Sequence, residues 1–339
     1  MHIAAPRPEI WLRPTPAGLY CEPGGFHIDP VGPAARAVVT HGHADHARPG
    51  NKGVLATPET VAIMRHRYGA DAGGSMQALR YGEALSVGDI TLSFAPAGHV
   101  LGSAQAVIEY RGSRVVVSGD YKRRPDPTCA GFAPQRCDLF VTEATFALPV
   151  FRHPPDTHEI EKLLHSVRLF PERCHLVGVY ALGKCQRVIA LLRAAGYDEP
   201  VYLHGALLGV TELYHDFGIE LGPLCHATGV ASEELRGRIV LAPPGALGDR
   251  WTRRLPDPIP ALASGWMRVK QRAKARGVEL PLVISDHADW DELTATLDDV
   301  GAPEIWVTHG REEALVHYAR KKGLAARALQ LTGFGDEEE

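Results

Sequence analysis

Short apolar runs broken by glycine-containing turns dominate the first half of the chain. Residues 36–40, 91–95, 106–110, 114–118 and 138–142 carry the β-branched and aromatic side chains that strands favour. The runs 106–110 and 114–118, separated only by Arg111, Gly112 and Ser113, predict a hairpin. From about residue 156 the pattern changes. Helical periodicity at 157–169 and 184–195 alternates with apolar, strand-like runs at 175–180, 201–203 and 238–241. Residues 255–260 form a proline-rich connection, and 265–276 read as a basic helix. Short strands return at 282–285 and 304–308, each leading into a histidine. The change of texture and the return predict one domain, residues 1–150 with 278–339, interrupted by a second at 151–277.

At 339 residues and 45% hydrophobic content the chain can bury a large core, enough for two structural units. Its six cysteines show no C-x-x-C spacing, which points to reduced thiols and away from a zinc ribbon or a disulfide framework. No signal-like apolar stretch opens the sequence and no run approaches membrane-span length, so a soluble, cytoplasmic protein without a membrane partner is expected. The formal charge of −4 gives no global attraction to nucleic acid. Local charge differs: between Arg250 and Arg276 eight Arg and Lys side chains face only Asp257. That run either lines a phosphate path or is a solvated face balanced by the acidic tail at 335–339.

Candidate chemistry concentrates in His41-Gly42-His43-Ala44-Asp45-His46. Three imidazoles and a carboxylate in six positions make a poor core and a good half of a metal site. Neutral imidazole and carboxylate suit Zn²⁺ and similar divalent ions, and two close ions suit phosphate-ester hydrolysis. The same design recurs where a predicted strand ends in a turn: Gly98-His99, Gly119-Asp120, Ser285-Asp286-His287 and His309-Gly310. A strand fixes the backbone and the turn frees the side chain, so strand ends present ligands well. Any one of them alone could be a satisfied core or capping residue. The set recurs too often for that reading.

Asp29, the HGHADH run, Ala97-Gly98-His99 and Ser118-Gly119-Asp120, in that order, resemble the metallo-β-lactamase superfamily. Glu143, His287 in SDHADW and His309 in VTHGREE resemble the extra motifs of its β-CASP nuclease branch, and residues 180–186 (YALGKCQ) resemble an element of its inserted cap. Within that branch, LASGWM (262–267) and SDHADW look most like bacterial DNA exonucleases associated with an ATP-dependent DNA ligase and a helicase.

The resemblance implies an α+β fold: an αββα four-layer sandwich with an inserted α/β cap. It implies two divalent ions, zinc or manganese, one held by His41, His43 and His99 and the other by Asp45, His46 and His309, with Asp120 bridging. Asp29 would orient a ligating histidine. His287 would protonate the leaving group and Glu143 would keep it cationic, with Asp45 also counted among the catalytic residues. Lys184, Ser264, Arg268, Lys270 and Arg272 are the candidates for backbone-phosphate contacts. The implied function is a DNA exonuclease acting in repair. RNA processing is the alternative, because DNA crosslink-repair members carry a small apolar residue where His309 stands. A small-molecule metallo-hydrolase would need neither the insertion nor the basic run. A non-catalytic nucleic-acid-binding protein would have lost ligands, and every ligand position here is filled.

Overall fold

The computed structural model describes residues 5–329 and Leu331; the acidic tail at 335–339 lies outside the described residues. The described residues form two compact units, one of residues 5–151 with 287–329 and the other of Arg152–Asp286.

In the first unit, one sheet runs in the order Leu12–Thr15, Gly18–Cys21, Phe26–Ile28, Ala37–Val38, Gly53–Ala56 and Ser75–Ala78. A second holds Ala325–Ala328, Glu304–Gly310, Leu139–Ala144, Ser113–Val117, Ala104–Tyr110, Ile90–Pro96 and Ala84–Val87. The expected hairpin is present, with Ser113 paired to Tyr110 in antiparallel register. Alternation sorts each strand's side chains between two faces. Leu139 and Val141 join Val115, Val117, Ala106 and Ile108 in a core shared with Leu19, Phe26 and Ile28 of the first sheet. Phe140, Ala144 and Val116 point the other way, onto Leu293, Leu297 and Leu315 of the helices Trp290–Val300 and Glu312–Lys321. Behind the first sheet, Val54 and Ala56 pack on Val61 and Met64 of the helix Pro58–Tyr68. The unit is therefore layered helix–sheet–sheet–helix.

The second unit is built on six strands, all parallel, in the order Leu224–His226, Val201–Leu203, Ile239–Ala242, His175–Gly178, Ile259–Ala263 and Leu280–Leu282. Helices Asp156–Leu169, Lys184–Ala194 and Gly205–Asp216 cover one face through Leu163, Val188 and Leu207. Leu235, Ala246 and Leu255, from short turns, cover the other. Both faces are buried, which is why these strands read as continuous apolar runs rather than as alternation.

Two expected elements differ. The strand placed at 282–285 ends at Leu282, because the Val283 amide donates to Glu159 Oε2 at 2.7 Å and leaves the sheet ladder. The basic helix placed at 265–276 is two pieces, a 3₁₀ turn Gly265–Arg268 and a helix Lys270–Ala275. The β-branched Val269 between them is extended, at φ −95° and ψ 103°.

Candidate metal centre

The HGHADH run follows the short strand Ala37–Val38. Its turn is closed by the Ala47 amide on the His43 carbonyl at 2.7 Å, and Arg48 and Arg67 hold the carbonyls of Asp45 and Gly42. Asp29 organises the start of the run. It accepts hydrogen bonds from the Thr40 amide (2.8 Å) and the Thr40 hydroxyl (2.6 Å), and its Oδ2 lies 2.8 Å from His46 Nδ1. With Nδ1–H directed at Asp29, His46 turns Nε2 toward Asp120 Oδ2, 3.4 Å away. Asp29 itself sits at φ +43°, an uncommon conformation for a residue with a side chain.

Asp120 is the hub. Its Oδ2 is 3.5 Å from His41 Nε2, 3.4 Å from His46 Nε2 and 3.9 Å from His99 Nε2, and its Oδ1 is 3.8 Å from His309 Nδ1. His43 closes the cluster, with Nδ1 2.9 Å from His99 Nε2. Two overlapping donor groups result, His41–His43–His99–Asp120 and His46–Asp120–His309. His309 reaches its group from the end of the strand Glu304–Gly310, at φ +55°, where the pairing with Leu139–Ala144 slips by a bulge. Only glycine can follow it. Gly310 is at φ +126°, and a Cβ there would lie 2.3 Å from the Ala144 carbonyl oxygen.

These donors fit a divalent cation. His41 is wholly buried, and its Nε2 has no hydrogen-bond partner although it points at a carboxylate. Its burial and the neighbouring imidazoles, His46 first, push its pKa well below the usual histidine range. Burial would lower His46 too, but the carboxylates of Asp120, Asp29 and Asp45 outweigh it and raise that imidazole well above its usual range. Asp120 is held well below the carboxylate range because His46 and His309 outweigh the cost of its burial. A cation between neutral imidazoles and this carboxylate would replace the proton that His46 otherwise keeps.

A third cluster stands beside the first two. His287 Nδ1 is 3.0 Å and 3.1 Å from the two oxygens of Glu143, and Glu143 Oε1 also accepts the Tyr121 amide at 2.7 Å. The His287 ring lies 4.6 Å from the His99 ring, centroid to centroid.

The structure thus brings Asp29, His41, His43, His46, His99, Asp120, Glu143, His287 and His309 together. Asp45 is at the rim, its side chain 28% exposed and Oδ2 3.7 Å from His46 Nε2, outside the compact donor groups. Thr40 joins Asp29 to His41 (Oγ1 to Nδ1, 3.1 Å); a threonine carries no conspicuous ligand chemistry in sequence, and its place next to the run is the signal that marks it.

Among the candidates for phosphate contact, Arg268 and Lys270 are exposed and Arg272 is half-buried, its guanidinium stacked 4.0 Å over the Trp266 ring. Ser264 caps the following turn, its hydroxyl accepting the Trp266 amide. Lys184 departs from expectation. It is only 3% exposed and its ammonium pairs with Asp286 at 2.9 Å, beside the buried Arg187, which holds Asp286 and Asp156. A phosphate could take Lys184 only by breaking a buried ion pair, which is costly.

No family model matches the chain. A protein of Opitutus terrae named "Probable DNA ligase" is 29% identical over 325 residues, covering 92% of this chain and 30% of that protein. "Ribonuclease TTHA0252" of Thermus thermophilus is 27% identical over 391 residues, covering 92% of this chain and 89% of the relative. "Endoribonuclease YSH1" of Kluyveromyces lactis is 32% identical over 128 residues, 36% of this chain and 16% of the relative. The chain therefore spans under a third of the first of these and most of the second. Among the described residues no helix is long and apolar enough to cross a membrane.

Proposed function

We propose that this chain is a two-metal nuclease of the metallo-β-lactamase type with a β-CASP insertion, hydrolysing phosphodiester bonds of DNA from a strand end. The observation that carries the reading is the pair of donor groups sharing Asp120, with the His287–Glu143 pair alongside. The helix–sheet–sheet–helix layering of the first unit supports it, as does similarity along 92% of the chain to a protein named as a ribonuclease. In this reading residues 1–150 and 278–339 are the metallo-β-lactamase domain and 151–277 the cap.

His41, His43, His99 and Asp120 would hold one divalent ion, zinc or manganese; His46, His309, Asp120 and the rim carboxylate of Asp45 would hold the other. When bound, such a pair supplies a hydroxide at neutral pH and offsets charge on the phosphoryl oxygens. Asp29 fixes the tautomer and direction of His46. Glu143 takes His287 Nδ1–H and favours the imidazolium, whose Nε2–H would protonate the departing oxygen.

DNA is favoured by the match to a segment of a larger protein named for DNA ligation, which also motivates a ligase as a working partner; a helicase partner rests on the resemblance of residues 262–267 and of the SDHADW segment alone. RNA is the second reading, favoured by relatives named as ribonucleases and by the histidine at 309. Incubation with 5′- and 3′-labelled DNA and RNA strands in Zn²⁺, Mn²⁺ or EDTA tests the assignment. The expected result is ion-dependent shortening of DNA from one end. Internal cuts confined to RNA would establish the second reading, and no cleavage of either would refute both.

The basic run is assigned to substrate grip through Arg268, Lys270 and Arg272, with Ser264 shaping the turn that precedes them. Each phosphate contact contributes about 0.7–0.9 to the slope of log affinity against log salt. Replacing the three side chains with alanine is therefore expected to weaken DNA binding and flatten that slope by about two to three, measured by fluorescence anisotropy across a salt series. Hydrolysis of a small phosphodiester should be nearly unchanged. An unaltered slope would assign the run to a solvated face.

A further inference from the structure

A fully buried lysine stands beside the centre and takes no part in the chemistry assigned above. The side chain of Lys122 is 0% exposed, and its ammonium lies 2.6 Å from Asp126 Oδ2, itself 2% exposed. The other Asp126 oxygen accepts both the amide (2.8 Å) and the hydroxyl (2.6 Å) of Thr128, so the carboxylate is held in place. From this anchor Lys122 Nζ donates to the backbone carbonyl of His99 at 3.2 Å.

That contact completes a set. The turn 97–99 has three successive carbonyls, and each is taken by the segment that follows Asp120. The Lys122 amide donates to Ala97 (3.2 Å), Cys129 Sγ to Gly98 (3.5 Å) and Lys122 Nζ to His99. On the opposite side, the Ser103 hydroxyl accepts the His99 amide at 3.0 Å. The two segments touch so closely that a Cβ on Gly98, at φ +75°, would lie 2.3 Å from the Lys122 carbonyl oxygen. With its backbone fixed on both sides, the His99 imidazole is directed at Asp120 and His43.

An apolar side chain could fill the place of Lys122 without the cost of removing an ammonium and a carboxylate from water. The ammonium does something an apolar side chain cannot, which is to donate a hydrogen bond to the His99 carbonyl while it is anchored on Asp126. We propose that Lys122 is a positioning residue for the metal centre: its buried ammonium, anchored by Asp126, ties the His99 turn to the Asp120 segment so that both donors meet at one ion. The proposal rests on the metal-centre reading and goes beyond it by assigning a role to a residue outside the donor set.

Partners that orient metal ligands typically contribute 10–100-fold to affinity. Zinc affinity of the full chain is measured by competition with a chromophoric chelator, alongside thermal melting of the metal-free protein. Lys122→Met is expected to bind zinc 10–100-fold more weakly than wild type, and Lys122→Arg to recover part of the loss. Asp126→Asn, which keeps an acceptor for Thr128 and removes the anchoring charge, is expected to lie between Lys122→Met and wild type; it carries the test should Lys122→Met not fold. The metal-free chains should melt above the assay temperature in every case. Zinc affinity equal to wild type in both Lys122→Met and Asp126→Asn overturns the inference while leaving the metal centre intact. So does a loss that in both variants is explained by metal-free chains already unfolded at the assay temperature. A wild-type chain that takes up no zinc refutes the metal-centre reading, and this inference with it.

Discussion

Asp120→Ala is expected to empty both donor groups at once and to reduce hydrolysis by about 10³-fold or more. The carboxylate lies within 3.9 Å of four imidazole nitrogens and belongs to both groups, so neither keeps its anionic member without it. Ion pairs of this kind supply several kcal/mol of transition-state stabilisation, and each 1.36 kcal/mol is tenfold in rate. Of the four imidazoles, His46 would keep the carboxylates of Asp29 and Asp45 beside it, and His41, His99 and His309 would lose the carboxylate they face. Metal analysis of the purified variant, read beside its activity, checks the expectation. A variant that retains two ions would remove Asp120 from the hub.

His287→Ala is expected to behave in the opposite way, keeping its ions and losing turnover. Both Glu143 oxygens are engaged by His287 Nδ1, and one also by the Tyr121 amide, so this pair is already satisfied by hydrogen bonds within the chain. Loss of a general acid costs about 10²–10⁴-fold, and the cost shrinks when the leaving group needs no proton. A nitrophenyl phosphodiester should therefore be cleaved by the variant at close to the wild-type rate, while DNA should not. Equal defects on both substrates, or metal loss matching Asp120→Ala, would make His287 a ligand and not the acid.

The residues that meet around Asp120 were legible in sequence because their chemistry is local. An imidazole next to glycine near the end of an apolar run is conspicuous whatever surrounds it; His41, His43, His99 and His309 have that setting, and His46 follows three positions after His43 in the same run. The supporting contacts were not legible, because each depends on a partner distant in the chain. Lys184 read as a surface cation, yet Asp286, 102 positions later, buries it. The strand at 282–285 read as continuous until Glu159 captured the Val283 amide. The first sheet was hardest to read: its opening strands are three or four residues long, too short for a period to declare itself. Lys122 and Asp126 look like ordinary surface charges in sequence. Only the fold, which closes the turn 97–99 over them, makes them buried.

A crystal grown with zinc or manganese and measured at the absorption edge of that metal tests the centre most directly. Two anomalous peaks are expected, flanking Asp120, with imidazole nitrogens at about 2.0–2.1 Å if the ions are zinc. One peak should be bound by His41, His43 and His99, and the other by His46 and His309. No peak within coordination distance of Asp120, or metal bound only at other residues, would contradict the two-metal centre and the nuclease chemistry assigned to it.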